Sequence, residues 1–156
     1  MKLTGIHHVS ILVTDMDRSV CFYRDTLGLP EVVRPSNFVT PVRWFELGAE
    51  QVHLIPSDAP DVVSPRHFAI HVDDCAAARQ ELTGRGVPLQ ETVPIAGAER
   101  FFIADPDGNH IEIIQWFKEW TSSSEAELGV PENDGRHMMT ERIRKGEPLP
   151  GELPQL

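Results

Sequence analysis

Two pairs of potential metal ligands recur at one spacing in this chain: His8 and His67 are 59 residues apart, and so are His53 and Glu112. His8 precedes His53 by 45 residues, and His67 precedes Glu112 by the same 45. Such a repeat constrains the fold more than a local motif does, because two copies of one unit must fold alike and pack through equivalent faces. The copies extend beyond the ligands. His8 opens HVSILVTD and His67 opens HFAIHVDD, each an alternating apolar run that ends in an Asp suited to cap a helix. His53 lies in VHLI and Glu112 in IEII, short apolar strands each interrupted by one polar residue. The unit, about 55–60 residues, is too long for most solenoid repeats and occurs only twice.

In the first copy, alternation over Ile6 to Val13 sets Val9, Ile11 and Val13 on one face and Ile6, His8, Ser10 and Leu12 on the other. The apolar face calls for a helix. Asp15 is its N-cap, Met16, Val20, Tyr23 and Leu27 recur at helical spacing, and Gly28 stops it. Extended segments follow at Glu31 to Val33, Arg43 to Leu47 and Gln51 to Ile55, with Gly48 in the last turn. Residues 56 to 65 carry three prolines and read as a linker.

The pattern then restarts. Phe68, Ile70 and Val72 form the face for a helix, and His67, Ala69 and His71 form the other. Asp73 or Asp74 caps an alanine-rich helix running to about Leu82, ended by Gly84 and Gly86. Strands are expected at Leu89 to Thr92, Arg100 to Ala104 and His110 to Trp116, the last two joined through the turn DPDGN. The fold class is therefore α+β, two paired βαβββ modules apposed as a half-open, barrel-like cup. One domain spans residues 1 to 117, with module one at about 3–56 and module two at about 66–117. Residues 118 to 156 form a polar tail rich in Pro, Gly and Glu, with one short helical stretch at His137 to Arg144.

Composition excludes several partners. A net charge of −10 with scattered Lys and Arg argues against a nucleic-acid backbone. The two cysteines, Cys21 and Cys75, are not spaced at the repeat offset, which argues against a structural disulfide and for a reducing, cytoplasmic setting. The N-terminal run lacks an apolar signal core, and no stretch reaches the roughly 18 apolar residues that a membrane span needs.

Period-two alternation places His8, His53, His67 and Glu112 on the face away from the helices, where two cupped sheets converge. Three imidazoles and a carboxylate suit a divalent first-row metal such as Zn, Ni, Co, Mn or Fe(II). A lone strand histidine is more often a hydrogen-bonded structural residue than a ligand, so the matched offsets carry the argument. Glu112 weighs most, since a carboxylate inside IEII is costly without a cation. His8, His67 and Glu112 are the expected ligands, with His53 a fourth ligand, a supporting residue or a substrate contact. His7 falls on the helix side. His71 and His110 share the cavity face and are candidates for binding substrate. Phe45 and Trp116, together with Phe101, are candidates for an apolar lining, with core packing the ordinary alternative for aromatics in such strands.

The runs IHHVSILVTDMDRSVCFYRDTLGL, VHLI, RHFAIHVDD and DPDGNHIEII resemble the vicinal oxygen chelate superfamily, the glyoxalase/bleomycin resistance/extradiol dioxygenase group, over about residues 3–117. The resemblance implies paired βαβββ modules, commonly in a homodimer, and a metal held at His8, His53, His67 and Glu112. Members with three ligands use only the equivalents of His8, His67 and Glu112. Position 53 departs from the Glu or Gln common in glyoxalase I and epimerases. The implied activity is that of a metal-dependent, glyoxalase-like lyase or isomerase acting on a small molecule with neighbouring oxygens through a metal-stabilised enolate. Glu112 would then be both ligand and catalytic base. One rival is an extradiol-type Fe(II) dioxygenase, against which the only tyrosine, Tyr23, falls on the first helix. Others are a fosfomycin-type transferase and a metal-free small-molecule (antibiotic) binding protein. The modules could close the cup within one chain or exchange across a dimer.

Overall fold

A computed structural model describes residues 1–117. The expected tail, with its helical stretch at His137 to Arg144, lies outside the described residues. Module one contains β1 (His8–Val13), α1 (Met16–Val20), β2 (Glu31–Val32), β3 (Arg43–Leu47) and β4 (Glu50–Pro56). Module two contains β5 (His67–His71), α2 (Cys75–Gly84), β6 (Ala98–Ala104) and β7 (His110–Trp116). The strands form two sheets, ordered β1-β4-β3-β2 and β5-β7-β6, and no closed barrel. In each sheet the first strand of the module runs parallel to the last, and the strand before the last returns antiparallel. The fold is α+β.

The caps form where the sequence places them. The Asp15 carboxylate accepts the Arg18 N–H at 3.0 Å, and that of Asp74, rather than Asp73, accepts the Ala77 N–H at 2.8 Å. Two expectations change. The first helix does not continue as α to Leu27 but widens after Val20 into a π-helical turn, Cys21–Thr26, before Gly28 reverses the chain at φ +75°. The strand expected at Leu89 to Thr92 is reduced to one bridge, Gln90 with Phe102, because Pro88 and Pro94 bracket the segment and remove ladder donors.

Alternation decides which face is core. Ile11, Val13, Phe45, Val52, Leu54, Phe101, Ile103, Ile111 and Ile113 join Val20, Tyr23, Cys75 and Leu82 from the helical segments in one cluster that draws on both modules. Cys21 is exposed and Cys75 buried, and both are free thiols. Burial pushes the Cys75 thiol up from its ordinary pKa.

The loop Asp105 to Asn109 fastens the modules together. Asp105 accepts the backbone N–H groups of Asp107 and Asn109, both at 2.9 Å, and the buried Tyr23 hydroxyl at 3.0 Å. Asp107 reaches into module one, accepting from Thr14 through backbone and side chain, from Arg18 at 2.9 Å and from Ser19 at 3.4 Å. The Asn109 amide donates to the Leu12 carbonyl at 3.0 Å. From the end of α2, Arg85 donates to the carbonyls of Asp25 and Thr26. Only Gly108 in this loop has a positive φ, +86°, so Asn109 keeps an ordinary backbone.

Burial alone would raise the Asp107 carboxyl, but hydrogen bonds from Thr14 and the charge of Arg18 outweigh it and hold the group below the usual range. A carboxyl with a lowered folded value stabilises the protein above its unfolded pKa, and this contribution is lost as pH falls through the folded value. Asp107→Asn should cost about 1–3 kcal/mol at neutral pH. Denaturant melts should show the gap from wild type closing below about pH 4.

Candidate metal centre

Strand register fixes which side chains share the face opposite the core. On the first sheet His8 pairs with Gln51, Ser10 with His53, and Trp44 with His53. On the second, His67 pairs with His110, Ala69 with Glu112, and Phe102 with Glu112. The four candidate ligands therefore arrive as two pairs, each on the parallel first and last strands of one module.

In the first pair the His8 and His53 rings are stacked, with centroids 4.1 Å apart and planes at 12°. Trp44 stacks on the other side of His53 at 4.6 Å. His8 Nδ1 lies 3.0 Å from His7 Nδ1, and His53 Nε2 lies 2.8 Å from Gln51 Oε1. Burial, followed by the neighbouring His8 and His7, lowers the His53 pKa below its ordinary 6.5. In the second pair His67 Nε2 is 3.3 Å from Glu112 Oε2, and Arg100 Nη1 donates to Glu112 Oε1 at 2.7 Å. His67 Nδ1 lies 2.8 Å from the Pro65 carbonyl, which orients Nε2 toward the carboxylate. The Phe102 ring meets His67 edge-on at 5.1 Å.

Among the described residues no three His, Cys, Asp or Glu side chains gather as a metal cluster. Each pair still fits a share of one. His67 and Glu112 offer an imidazole nitrogen and a carboxylate oxygen side by side, and His8 keeps Nε2 clear of its His7 contact. The stacked His8–His53 pair cannot donate two nitrogens to one ion, because a metal lies in the plane of each ring it binds and parallel, displaced planes share no point. An ion drawing on the first pair would thus take only one of its two imidazoles, and His53 is clamped between His8 and Trp44.

The remaining candidates divide. Phe45 is fully buried, 6.0 Å from the Tyr23 ring, and does not face the cup. It pairs in register with Val52, so its parity is that of the core, and Trp44 takes the cup-side position instead. Phe101 is likewise core, with the Arg79 guanidinium over its ring. His71 and Trp116 lie on the cup parity at exposed positions. His110 stands beside His67 and borders a cavity of about 250 Å³ between β1, the linker and the start of β7. Trp44 and Arg100 are site residues that sequence reasoning missed. The signal was available, since each lies on the strand next to a candidate ligand at matching parity.

The sequence model of the Glyoxalase/Bleomycin resistance protein/Dioxygenase superfamily matches residues 5–113. The chain belongs to this superfamily. It is similar to Glyoxylase I 4 of Arabidopsis thaliana, 25% identical over 124 residues that cover 72% of this chain and 71% of that one. The lactoylglutathione lyase of Haemophilus influenzae is 30% identical over 123 residues, covering 70% of this chain and 91% of the lyase. The crystal structure of a putative glyoxalase family protein from Bacillus anthracis superposes with a TM-score of 0.69 at 24% identity, covering 74% of this chain and 98% of that one, and shows the same fold. No helix among the described residues is long and apolar enough to cross a membrane.

Because burial is the main cause of the lowered His53 value, Trp44→Ala should uncover the ring and move its midpoint up toward about 6.5. Proton NMR of the imidazole resonances checks this, and an unmoved midpoint would mean that the indole is not what shields His53.

Proposed function

We propose that this vicinal oxygen chelate protein is a metal-dependent, glyoxalase-like lyase or isomerase for a small molecule carrying neighbouring oxygens. The observation that carries this reading is Glu112: a carboxylate on a buried strand, with one oxygen facing His67 and the other held by Arg100. His8, His67 and Glu112 would hold a divalent ion such as Zn, Ni, Co, Mn or Fe. When bound, that ion supplies Lewis acidity to two adjacent substrate oxygens and so lowers the cost of negative charge beside them. Glu112 has the chemistry of a general base, able to take a proton from the carbon that carries one of those oxygens, alpha to the carbonyl carbon that carries the other, and return it. Arg100 holds the carboxylate in place and aims it, while Phe102 and Trp44 would give the two halves apolar walls. His110, beside His67 at the cavity, and His71, further along β5, would contact substrate. The ring-cleaving reading loses its active-site phenol, since Tyr23, the only tyrosine, is buried and bonded to Asp105.

Each pair brings two donors, and the described chain does not unite the pairs. We therefore propose a homodimer in which His8 of one copy completes a site with His67 and Glu112 of a second.

Elemental analysis should find near-stoichiometric divalent metal in wild type, a loss of most of it in His67→Ala, and retention in His53→Ala. Metal-free wild type after anaerobic metal supplementation would overturn the enzyme reading in favour of a small-molecule binding protein. For the shared site, His8→Ala and His67→Ala should each lack metal, and a refolded mixture should recover it in the mixed dimer, where one site regains both imidazoles. If each site lay within one chain, mixing would recover nothing.

A further inference from the structure

Only two arginines and no lysine occur in the described strands, Arg43 and Arg100. Arg43 shares the parity of Phe45 and pairs with Glu31 at 2.5 Å, on the side away from the cup. Arg100 is thus the one fixed cation that the strands present to the cup face. Its position is set from two directions, by Nη1 on Glu112 at 2.7 Å and by Nη2 on the Val93 carbonyl at 3.2 Å. The guanidinium carbon lies 5.8 Å from the Phe102 ring centroid. Its Nε–H is buried and has no acceptor.

A buried, unsatisfied guanidinium donor is costly, more so than a neutral one. The edge formed by Nε and Nη2 is the side-on fork that matches a carboxylate, and only one proton of that edge is engaged, by Val93. Glu112 offers a reason for this reserve. A carboxylate that also serves as a ligand shares its charge, leaving the half-buried guanidinium undercompensated, and an anionic group arriving with the substrate would restore the balance. The proximity of Glu112 also limits the charge that is tolerated. A singly charged planar group can share the guanidinium with it, whereas a dianion would be repelled more strongly.

We infer that Arg100 determines specificity by binding a carboxylate of the substrate, so that the substrate class is small 2-oxo or 2-hydroxy acids, whose carboxylate supplies one of the two neighbouring oxygens and turns the other toward Arg100. This rests on the proposed chelating site for the position of those oxygens, but the recognition by Arg100 does not require the ion. Nε is closed to solvent and Nη2 is held by the Val93 carbonyl, so the carboxylate has to displace that contact to engage the edge.

The test is calorimetric titration of the full chain with lactate and with lactamide, which have the same carbon skeleton and differ in the anionic charge. Wild type, Arg100→Gln and Arg100→Lys are compared, each metal-loaded and chelator-treated, with thermal melts confirming that the variants fold. Wild type should prefer lactate, and Arg100→Gln should reduce that preference by about tenfold or more. Arg100→Lys should keep the charge but, lacking the fork, recover only part of it. A preference that is the same in wild type and Arg100→Gln, or no binding of either probe by wild type, would overturn the proposal. A preference that depends on Arg100 in chelator-treated protein, combined with wild type that takes up no metal, would support carboxylate recognition while removing the chelating reading.

Discussion

Asp105 and Asp107 hold this fold to one arrangement. Two modules of similar sequence could pair in several ways, since an apolar helix-covered face says little about register. The loop between β6 and β7 removes that freedom by carrying acceptors that only one placement of module one satisfies. Asp105 organises the loop through backbone N–H groups and takes the Tyr23 hydroxyl, while Asp107 reaches Thr14, Arg18 and Ser19. Both carboxylates lie in buried surroundings, where a wrong pairing would leave them without donors at several times the cost of an exposed group. The clamp also has no counterpart in module one. There the equivalent turn is only Gly48 and Ala49, between the paired residues Leu47 and Glu50. The repeat is symmetric in its strands and asymmetric in what fastens it.

With the modules fixed, period-two alternation does the rest. One parity of every long strand enters the shared core and the other faces the cup, so a residue's role follows from its number along the strand. That is why so much of the architecture was legible. The 59-residue offset located equivalent strands, the terminal Asp residues located both helix starts, and the polar interruptions in VHLI and IEII located His53 and Glu112. What failed were local features that the apolar pattern does not record. The π-helical widening at Cys21 leaves an apolar pattern unchanged, and the loss of the strand at Leu89 to Thr92 needed the flanking prolines to be weighed above β propensity.

The placement of the candidate ligands on their strands was legible, more so than that of their surroundings. Phe45 was misplaced because its facing depends on its partner in β4, which is the core residue Val52. The same register that sends Phe45 to the core delivers Trp44 to His53, and in module two it delivers Phe102 to Glu112. An aromatic beside the ligand on the last strand is therefore a second, weaker level of the repeat. It is displaced by one residue because the loop after β6 is longer than the turn after β3, so a search at the fixed offset of 59 passes over it.

The two halves differ in charge in a way that bears on how they work together. The His8–His53 half is built from stacked rings, with burial and the adjacent imidazoles favouring a neutral His53. The His67–Glu112 half is ionic, its carboxylate already balanced by Arg100. The proposed shared site would join the stacked rings of one copy to a carboxylate of the other whose counterion is covalently fixed nearby. The arginine must then either share Glu112 or find another anion. In water such competition would be screened to little consequence, but Glu112 is 7% exposed and the Nε of Arg100 is sealed from solvent, so the charges remain coupled. The demand for a compensating anion is thus built into the strand next to Glu112, and it links the choice of substrate to the same carboxylate that positions the chemistry.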